Sequence, residues 1–251
     1  MLLIVNADDL GTSQSINDDI FALMKSGLVT SASIIANGPA FEDAALRARQ
    51  FPDCSFGVHL NLTVFSPIGS CKELNAILDE NGCLSRKLFK TAITSELRQA
   101  LLRELMLQVK RVYDAGLAVS HFDSHQHIHT IPRLFPVLKS LQRTFGVRKV
   151  RSTITLLPSG ERMTALRSLR KRAFRFALRR VYATRNPEGL GDFRDFHAAL
   201  LGGRLPRMRC LELMVHPGTT NPRYREEVNL LRSDWRQFLP PMVTMGSYHA
   251  L

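Results

Sequence analysis

The chain has 251 residues, of which 45% are hydrophobic, and it carries a formal net charge of +12 at pH 7. This length suits one large α/β domain or two small ones, and the apolar fraction excludes a disordered chain. No stretch approaches the roughly 20 apolar residues of a membrane span, and four scattered cysteines without a C-x-x-C pair argue against a zinc ribbon or a disulfide framework.

The N-terminal apolar run is short, has no basic region before it, and turns acidic at Asp8 and Asp9. This pattern is not that of a signal peptide. We therefore expect a cytoplasmic protein.

Strand and helix patterns alternate from the N-terminus onward. Strands are predicted at 2–6, 29–36, 55–62, 119–125, 147–152, 210–215 and 242–245. Helices are predicted from Ser13 or Ser15 to Gly27 and over 41–51, 94–115, 131–145, a basic segment within 161–185, 223–231 and 233–239. The stretch 63–84 lacks periodicity and is predicted to be a long loop such as a lid.

This alternation predicts an α/β fold with a mostly parallel sheet covered by helices. With no internal repeat and no linker in the sequence, we expect a single domain over residues 1–251. In such folds, catalytic groups gather at the carboxyl ends of the strands. Asp8 and Asp9, His59, His125 and His216 each lie at or near the end of a predicted strand, and their shared position indicates a functional site.

The densest polar cluster is H-F-D-S-H-Q-H-I-H, residues 121–129. If this stretch is extended, its four histidines and Asp123 lie on one face. Such a row is poor core material, because each buried polar group needs a partner. Metal binding or catalysis is therefore favoured over solvent-facing histidines. His121 and His129, toward its ends, are expected to be structural.

One carboxylate and two imidazoles bind a divalent metal while leaving positions for water and substrate. Asp9, His59 and His125 are the predicted metal ligands. Asp8 is the candidate general base, provided that the chain turns there, and His216 is the candidate general acid. The alternative for Asp8 and Asp9 is a helix N-cap with an acidic first turn.

Much of the excess positive charge lies in a helical pattern between residues 161 and 185. Its apolar residues recur at helical spacing, which predicts an amphipathic basic helix. These residues are Leu166, Leu169, Ala173, Phe176 and Ala177. The charged face is either simply solvated or makes a peripheral contact with an anionic membrane. Nucleic acid is not the expected partner, because no zinc-finger spacing or RNP-like aromatic run is nearby.

Five motifs occur along the chain in a fixed order. They are N-A-D-D-L-G, V-T-S-A-S-I-I-A-N-G-P-A-F, G-V-H-L-N-L-T, H-F-D-S-H-Q-H-I-H and H-P-G. In these motifs the chain resembles the YdjC-like carbohydrate deacetylases, which include the chitooligosaccharide deacetylase and hopanoid-associated members. The resemblance covers nearly the whole chain.

The resemblance implies a distorted (β/α) barrel and metal-dependent removal of an acetyl group from an N-acetylated sugar. It implies the same ligands and Asp8 as base, with magnesium as the metal, although two imidazoles also suit zinc or cobalt. Predicted contacts with the saccharide are made by Asn61, Asp123, His127 and Arg151. Asp123 and His127 could instead orient a ligating imidazole.

Two other functions stay open at the level of sequence. His121-Phe122-Asp123 matches the H-x-D part of a non-haem iron oxygenase triad. The net charge alone would fit a basic protein that binds nucleic acid or membrane without catalysis. The sequence also leaves open a homodimer.

Overall fold

The computed structural model describes residues 1–155 and 164–251, apart from the Arg167 side chain. Seven strands form one sheet in the order β4-β3-β2-β1-β6-β5, with β7 also paired to β1. Every pairing between these strands is parallel. The strands are β1 Leu2–Leu10, β2 Ser31–Ile34, β3 Ser55–Leu60, β4 Val119–Ser124, β5 Gly189–Asp192, β6 Cys210–Val215 and β7 Thr244–Gly246.

Helices connect the strands. They are α1 Gln14–Lys25, α2 Phe41–Ala48, α3 Ser95–Asp114, α4 Phe135–Phe145, α5 Ala165–Arg180, α6 Phe193–Leu201 and α7 Pro222–Leu231. Shorter 3₁₀ turns lie at Lys72–Ile77, Arg86–Phe89, His125–Thr130, Pro132–Leu134, Trp235–Phe238 and Tyr248–Ala250. None of the helices in the described part of the chain combines the length and the apolar character needed to cross a membrane.

The predicted stripe on α3 shows why these segments are helical. The Thr94 side chain accepts a hydrogen bond from the Leu97 amide and caps the first turn. The apolar residues at helical spacing are all buried, and they are Leu97, Leu101, Leu105, Val109 and Val112. Burial of this face, and not propensity alone, keeps the helix on the sheet.

Isolated parallel bridges carry the pairing on from β4 to β5. Phe122 on β4 pairs with Val150, and Thr155 pairs with Leu190 on β5. The segment 149–155 therefore lies between the two edge strands, and the pairing passes around as in a distorted barrel. The predicted α/β class with a mostly parallel sheet is confirmed.

The inside of this ring is polar. Buried polar residues alternate along the strands with residues of the hydrophobic core, because successive side chains point to opposite faces. The polar set comprises Asn6, Asp8, Ser31, Ser33, His59, Asp123, Arg151 and Glu212, each at most 2% exposed. The apolar layer thus lies between strands and helices, and the interior holds charges that need partners.

The region between α4 and β6 differs from the prediction. The strand expected at 147–152 is reduced to isolated bridges, in which Lys149 pairs with Arg185 and Val150 with Phe122. The Val150 amide donates to the Arg185 carbonyl and the Arg151 amide to the Phe122 carbonyl, so the segment bonds a neighbour on each side only over these residues. Strand β5 and helix α6 were not predicted at all. Residues 161–163 of the predicted basic segment lie outside the described residues.

The long stretch 63–84 is packed against α3. The Glu104 carboxylate, itself 1% exposed, accepts hydrogen bonds from the Ile68 amide at 3.1 Å and the Gly69 amide at 2.8 Å. Leu74 and Ile77 within the stretch are buried. These contacts attach the loop to the body of the protein.

Candidate active site

Two adjacent aspartates reach the same site because β1 is irregular at its end. The strand continues to Leu10, so the end predicted at residue 6 is wrong, but its register with β2 shifts between Ala7 and Leu10. Asp9 has φ 66°, in the left-handed region that non-glycine residues seldom adopt. Gly11 follows at φ 93°, where a Cβ would lie 3.0 Å from the Ile35 carbonyl oxygen. This irregularity within β1 therefore brings Asp8 and Asp9 to the same site, whereas a turn at the end of the strand was expected to do so.

The three predicted metal ligands meet at this end of the sheet. Asp9 Oδ1 lies 3.3 Å from His59 Nε2 and 2.9 Å from His125 Nδ1. The three ligand atoms are all within 4.8 Å of one another. This set comes from β1, β3 and the turn after β4, three elements that are far apart in sequence.

His59 is oriented by a second carboxylate. Its Nδ1 lies 2.9 Å from Asp123 Oδ1, and Ser33 donates a 2.8 Å hydrogen bond to Asp123 Oδ2. A proton on Nδ1 leaves Nε2 as the atom that faces Asp9, which is the arrangement that a metal-ligating histidine needs. Burial opposes protonation of His59, but the Asp123 and Asp8 charges outweigh it and raise its pKa to about 10. A divalent cation at this position would replace that proton.

Arg151 joins three carboxylates beneath the ligand set. Its Nη1 and Nη2 donate to Asp8 at 2.7 and 2.6 Å, and Nη2 lies 2.7 Å from Asp123 Oδ2. Its Nε donates to Glu212 at 2.9 Å. Burial would raise the pKa of Asp8, but the Arg151 charge and hydrogen bonds keep it below its usual value. Arg151 thus fixes both the position and the ionisation of Asp8.

Sequence reasoning missed the lower part of this network. The Tyr248 hydroxyl donates a 2.6 Å hydrogen bond to Glu212, and the Asn6 side-chain amide donates a 2.9 Å hydrogen bond to Asp8. Burial raises the pKa of Glu212 to about 7 although Arg151 and Tyr248 favour its ionised form. The one signal in the sequence was a lone glutamate within the apolar run C-L-E-L-M-V.

His216 faces Asp8 from the loop after β6. Its Nε2 lies 3.9 Å from Asp8 Oδ2, and its ring stacks on Tyr224 with centroids 4.2 Å apart. Its amide donates a 2.9 Å hydrogen bond to Glu227 of α7. Burial lowers the pKa of His216, but the Glu227, Asp8 and Asp9 carboxylates raise it above its usual value overall. The carboxylates around His216 therefore favour its protonated form more than water does.

The histidine-rich stretch does not present one row of side chains. β4 ends at Ser124, and a 3₁₀ turn begins at His125, with Gln126 and His127 in the left-handed region. The single face expected for an extended stretch up to residue 129 is therefore wrong. The turn carries His125 to the ligand set and His127 to a neighbouring cavity of about 440 Å³.

The outer two histidines of the stretch are buried in other contacts. His121 stacks on Tyr248 at 3.6 Å between centroids, close against Gly57, where a Cβ would lie 2.4 Å from the ring. The Ser124 hydroxyl lies 2.6 Å from His129 Nδ1. Among the described residues, His121 belongs to neither cluster of potential metal ligands. The H-x-D set of an iron oxygenase is therefore not formed.

Three of the predicted substrate contacts lie away from open space. Asp123 and Arg151 are 0% exposed and bonded in the interior network. Asn61 is equally buried, and its side chain bonds Asn37 at 2.9 Å and the Val64 carbonyl at 2.7 Å. His127 lines the cavity described above.

Comparison with known proteins places this geometry in a family. The chain matches the family described as YdjC-like protein over residues 2–239. It is 37% identical over 151 residues to a carbohydrate deacetylase of Geobacillus stearothermophilus, covering 59% of this chain and 60% of that protein. It is 34% identical over 170 residues to a chitooligosaccharide deacetylase of Salmonella paratyphi B, covering 65% and 66%.

The chain thus aligns with about three fifths of the first of these relatives. A solved structure from Enterococcus faecalis, named for a proposed role in cellobiose-phosphate cleavage, superposes with a TM-score of 0.79 at 21% identity. That alignment covers 99% of this chain and 98% of the other and shows the same fold. Because the family match covers nearly the whole chain, the protein belongs to the YdjC-like family.

Proposed function

We propose that the protein is a metal-dependent hydrolase that removes an acetyl group from an N-acetylated sugar or oligosaccharide. The observation that carries this proposal is the meeting of Asp9, His59 and His125 next to the pair formed by Asp8 and His216. The carbohydrate deacetylases among its relatives support the substrate class.

Asp9, His59 and His125 would hold the metal, and the donor set fits this role because Asp123 presents the free Nε2 of His59. When bound, a divalent ion supplies Lewis acidity and lowers the pKa of water. Family resemblance favours magnesium, while two imidazole ligands also suit zinc or cobalt.

Asp8 and His216 would perform the proton transfers. Asp8 remains ionised because Arg151 and Asn6 bond it, so it is ready to accept a proton from the attacking water. His216 has a raised pKa and would donate a proton to the departing amine nitrogen. Their side chains lie 3.9 Å apart, which supports a shared role at one reacting centre.

The saccharide would lie in the cavity next to His127. Its walls combine hydroxyl groups, such as those of Ser152 and Thr153, with the apolar side chains of Phe174 and Leu190. Such a mixture suits a sugar, which has polar edges and apolar ring faces. Asp123 and Arg151 would act by positioning His59 and Asp8 and not by touching the sugar.

The test combines metal analysis with an acetate-release assay on N-acetylated saccharides. We expect His125→Ala to lose bound metal and to lower acetate release by at least about a thousandfold, while the unfolding midpoint stays close to that of the unmodified protein. His249→Ala is the matched control, because His249 is exposed and lies against the Cys54 carbonyl just before β3 begins, whereas His59 lies near the end of β3. Full activity of His125→Ala, or of protein stripped by a chelator, would contradict the proposal.

A further inference from the structure

Helix α5 presents its apolar stripe to solvent. The side that packs on the protein carries Leu178, which is 0% exposed, and Phe174, whose ring contacts Phe135 at 5.6 Å. The stripe predicted from helical spacing lies on the outer side. Its large members are Leu166, Leu169 and Phe176, exposed by 59%, 65% and 61%. An amphipathic helix of a globular protein normally buries that stripe in the core.

This orientation is fixed by specific bonds. The Lys139 ammonium, on α4, donates to the Leu178 and Val181 carbonyls at the end of α5, both at 2.9 Å. Thr153 donates a hydrogen bond to the Lys171 carbonyl at 3.3 Å. The helix is therefore held from its middle to its C-terminal end with the apolar stripe facing outward.

Basic side chains lie along the exposed stripe. The sequence of α5 contains six arginines and one lysine and no acidic residue. Arg172 and Arg179 are exposed, and together with Arg175 and Arg180 they line a cavity of about 620 Å³ against Ile154. Arg175 Nε is buried without a hydrogen-bond partner among the described residues. This cavity offers the Arg175 Nε–H and the guanidinium groups of Arg172 and Arg179 to an oxyanion such as a phosphate group.

We propose that α5 is a docking surface for an anionic phospholipid membrane. The apolar stripe would enter the boundary between headgroups and acyl chains, while the flanking arginines would bind lipid phosphates. Double-stranded nucleic acid would pair the arginines but leave Leu169 and Phe176 in water. A second copy through the same face would set like charges against each other, because α5 has no acid to offer.

The test is co-sedimentation with vesicles of phosphatidylcholine alone and of phosphatidylcholine mixed equally with phosphatidylglycerol. The unmodified protein should bind the mixed vesicles and not the neutral ones, and high salt should release it. Arg172→Ala with Arg179→Ala should lower the partition coefficient about thirtyfold. Leu169→Ser with Phe176→Ser should lower it at least about tenfold.

Matched controls alter exposed residues of the same kinds elsewhere. Arg98→Ala with Arg207→Ala removes two exposed arginines, and Leu46→Ser with Met242→Ser removes side chains that are 63% and 71% exposed. Both controls should bind like the unmodified protein. Urea unfolding of every variant checks that α5 and the rest of the fold persist.

Several results would overturn the proposal. One is equal binding to neutral and mixed vesicles, or none to either. Another is α5 variants that bind the mixed vesicles as well as the controls do. A third is a protein that does not bind vesicles but forms a concentration-dependent dimer, which Leu169→Ser with Phe176→Ser dissociates. That result would assign the surface to a second copy.

Discussion

Arginine occurs in two opposite settings in this protein. Inside the barrel, Arg151 is fully buried and bonds three carboxylates at 2.6–2.9 Å. On α5, Arg172 and Arg179 are exposed on a helix without a single acid. The first setting pairs the Arg151 charge with carboxylates inside the molecule. The second leaves positive charge and apolar surface together on the outside.

The contrast shows that an arginine paired with carboxylates stabilises the fold, whereas an arginine without such partners is available to bind a ligand. A buried guanidinium that lost its carboxylates would carry a large desolvation cost, so its partners are fixed together with it. An exposed guanidinium has no such cost and stays free for a ligand. The interior network can therefore fix the positions of catalytic groups, while α5 can exchange one partner for another.

The strongest way to break this contrast is Arg151→Met. Three buried carboxylates would lose their common partner, and the free energy of unfolding should fall by about 3–5 kcal/mol. Urea denaturation measures this. Arg151→Lys keeps the charge but not the planar guanidinium group, so its free energy of unfolding should lie between those of the unmodified protein and Arg151→Met. A loss under about 1 kcal/mol for Arg151→Met would show that the network does not depend on pairing.

His216→Gln tests the proposed role of His216 as the general acid next to Asp8. On the proposed mechanism, kcat for acetate release should fall by about 10²–10⁴-fold, with little change in stability. Because the protonated imidazole is the active form, the rate of the unmodified enzyme should decline as pH rises through the raised pKa of His216. Glu227→Gln removes one cause of that raised pKa, so the decline should then occur at lower pH.

An unchanged alkaline limb in Glu227→Gln would assign the titration to another group. Tyr224→Phe serves as the matched control, because it keeps the ring that stacks on His216. Its pH profile should be that of the unmodified enzyme.

Lys139→Met tests whether the hydrogen bonds of this buried cation stabilise the C-terminal end of α5. This lysine is 3% exposed, and its ammonium has four acceptors, including the last carbonyls of α5. Removing it leaves buried carbonyls without a donor and should cost about 1–3 kcal/mol. Hydrogen exchange should become faster in α5 and stay unchanged in α3. Unchanged exchange in α5 would mean that its other contacts, through Leu178, Phe174 and Thr153, hold the helix without Lys139.

The smallest effect on stability is expected for Arg172→Ala with Arg179→Ala. Both side chains are exposed, and alanine is a better helix former, so the unfolding free energy should stay within about 0.5 kcal/mol. The same variant should show the large loss of vesicle binding described above. A destabilisation like that of Arg151→Met would show that these arginines are structural and would remove the contrast.

The meeting of Asp9, His59 and His125 was predictable because each lies at or near the carboxyl end of a strand, and parallel strands bring these ends together. The network below it was not. Asn6, Glu212 and Tyr248 look like isolated polar residues in sequence, yet Glu212 bonds Arg151, Tyr248 bonds Glu212, and Asn6 bonds Asp8. Pairing of Glu212 with Arg151 across 61 positions, and with Tyr248 across 36, depends on tertiary structure that periodicity does not encode.

Local geometry explains the other differences. Alternation predicted one face for residues 121–129, but the turn at Gln126 and His127 takes a left-handed conformation that the pattern does not reveal. The spacing on α5 predicted a stripe correctly, yet spacing alone does not tell which side of the helix meets the core. The structure adds that the stripe faces outward.

Tyr248 closes the far end of the barrel and keeps water away from the Arg151 network. It packs with Ile4 and Cys210, covers the His121 ring, and bonds Glu212, which bonds Arg151 in turn. Replacing it would admit water to the bottom of the barrel, raise the local dielectric and weaken the grip of Arg151 on Asp8. A residue beyond the span matched by the family would thereby influence the basicity of Asp8, the proposed general base.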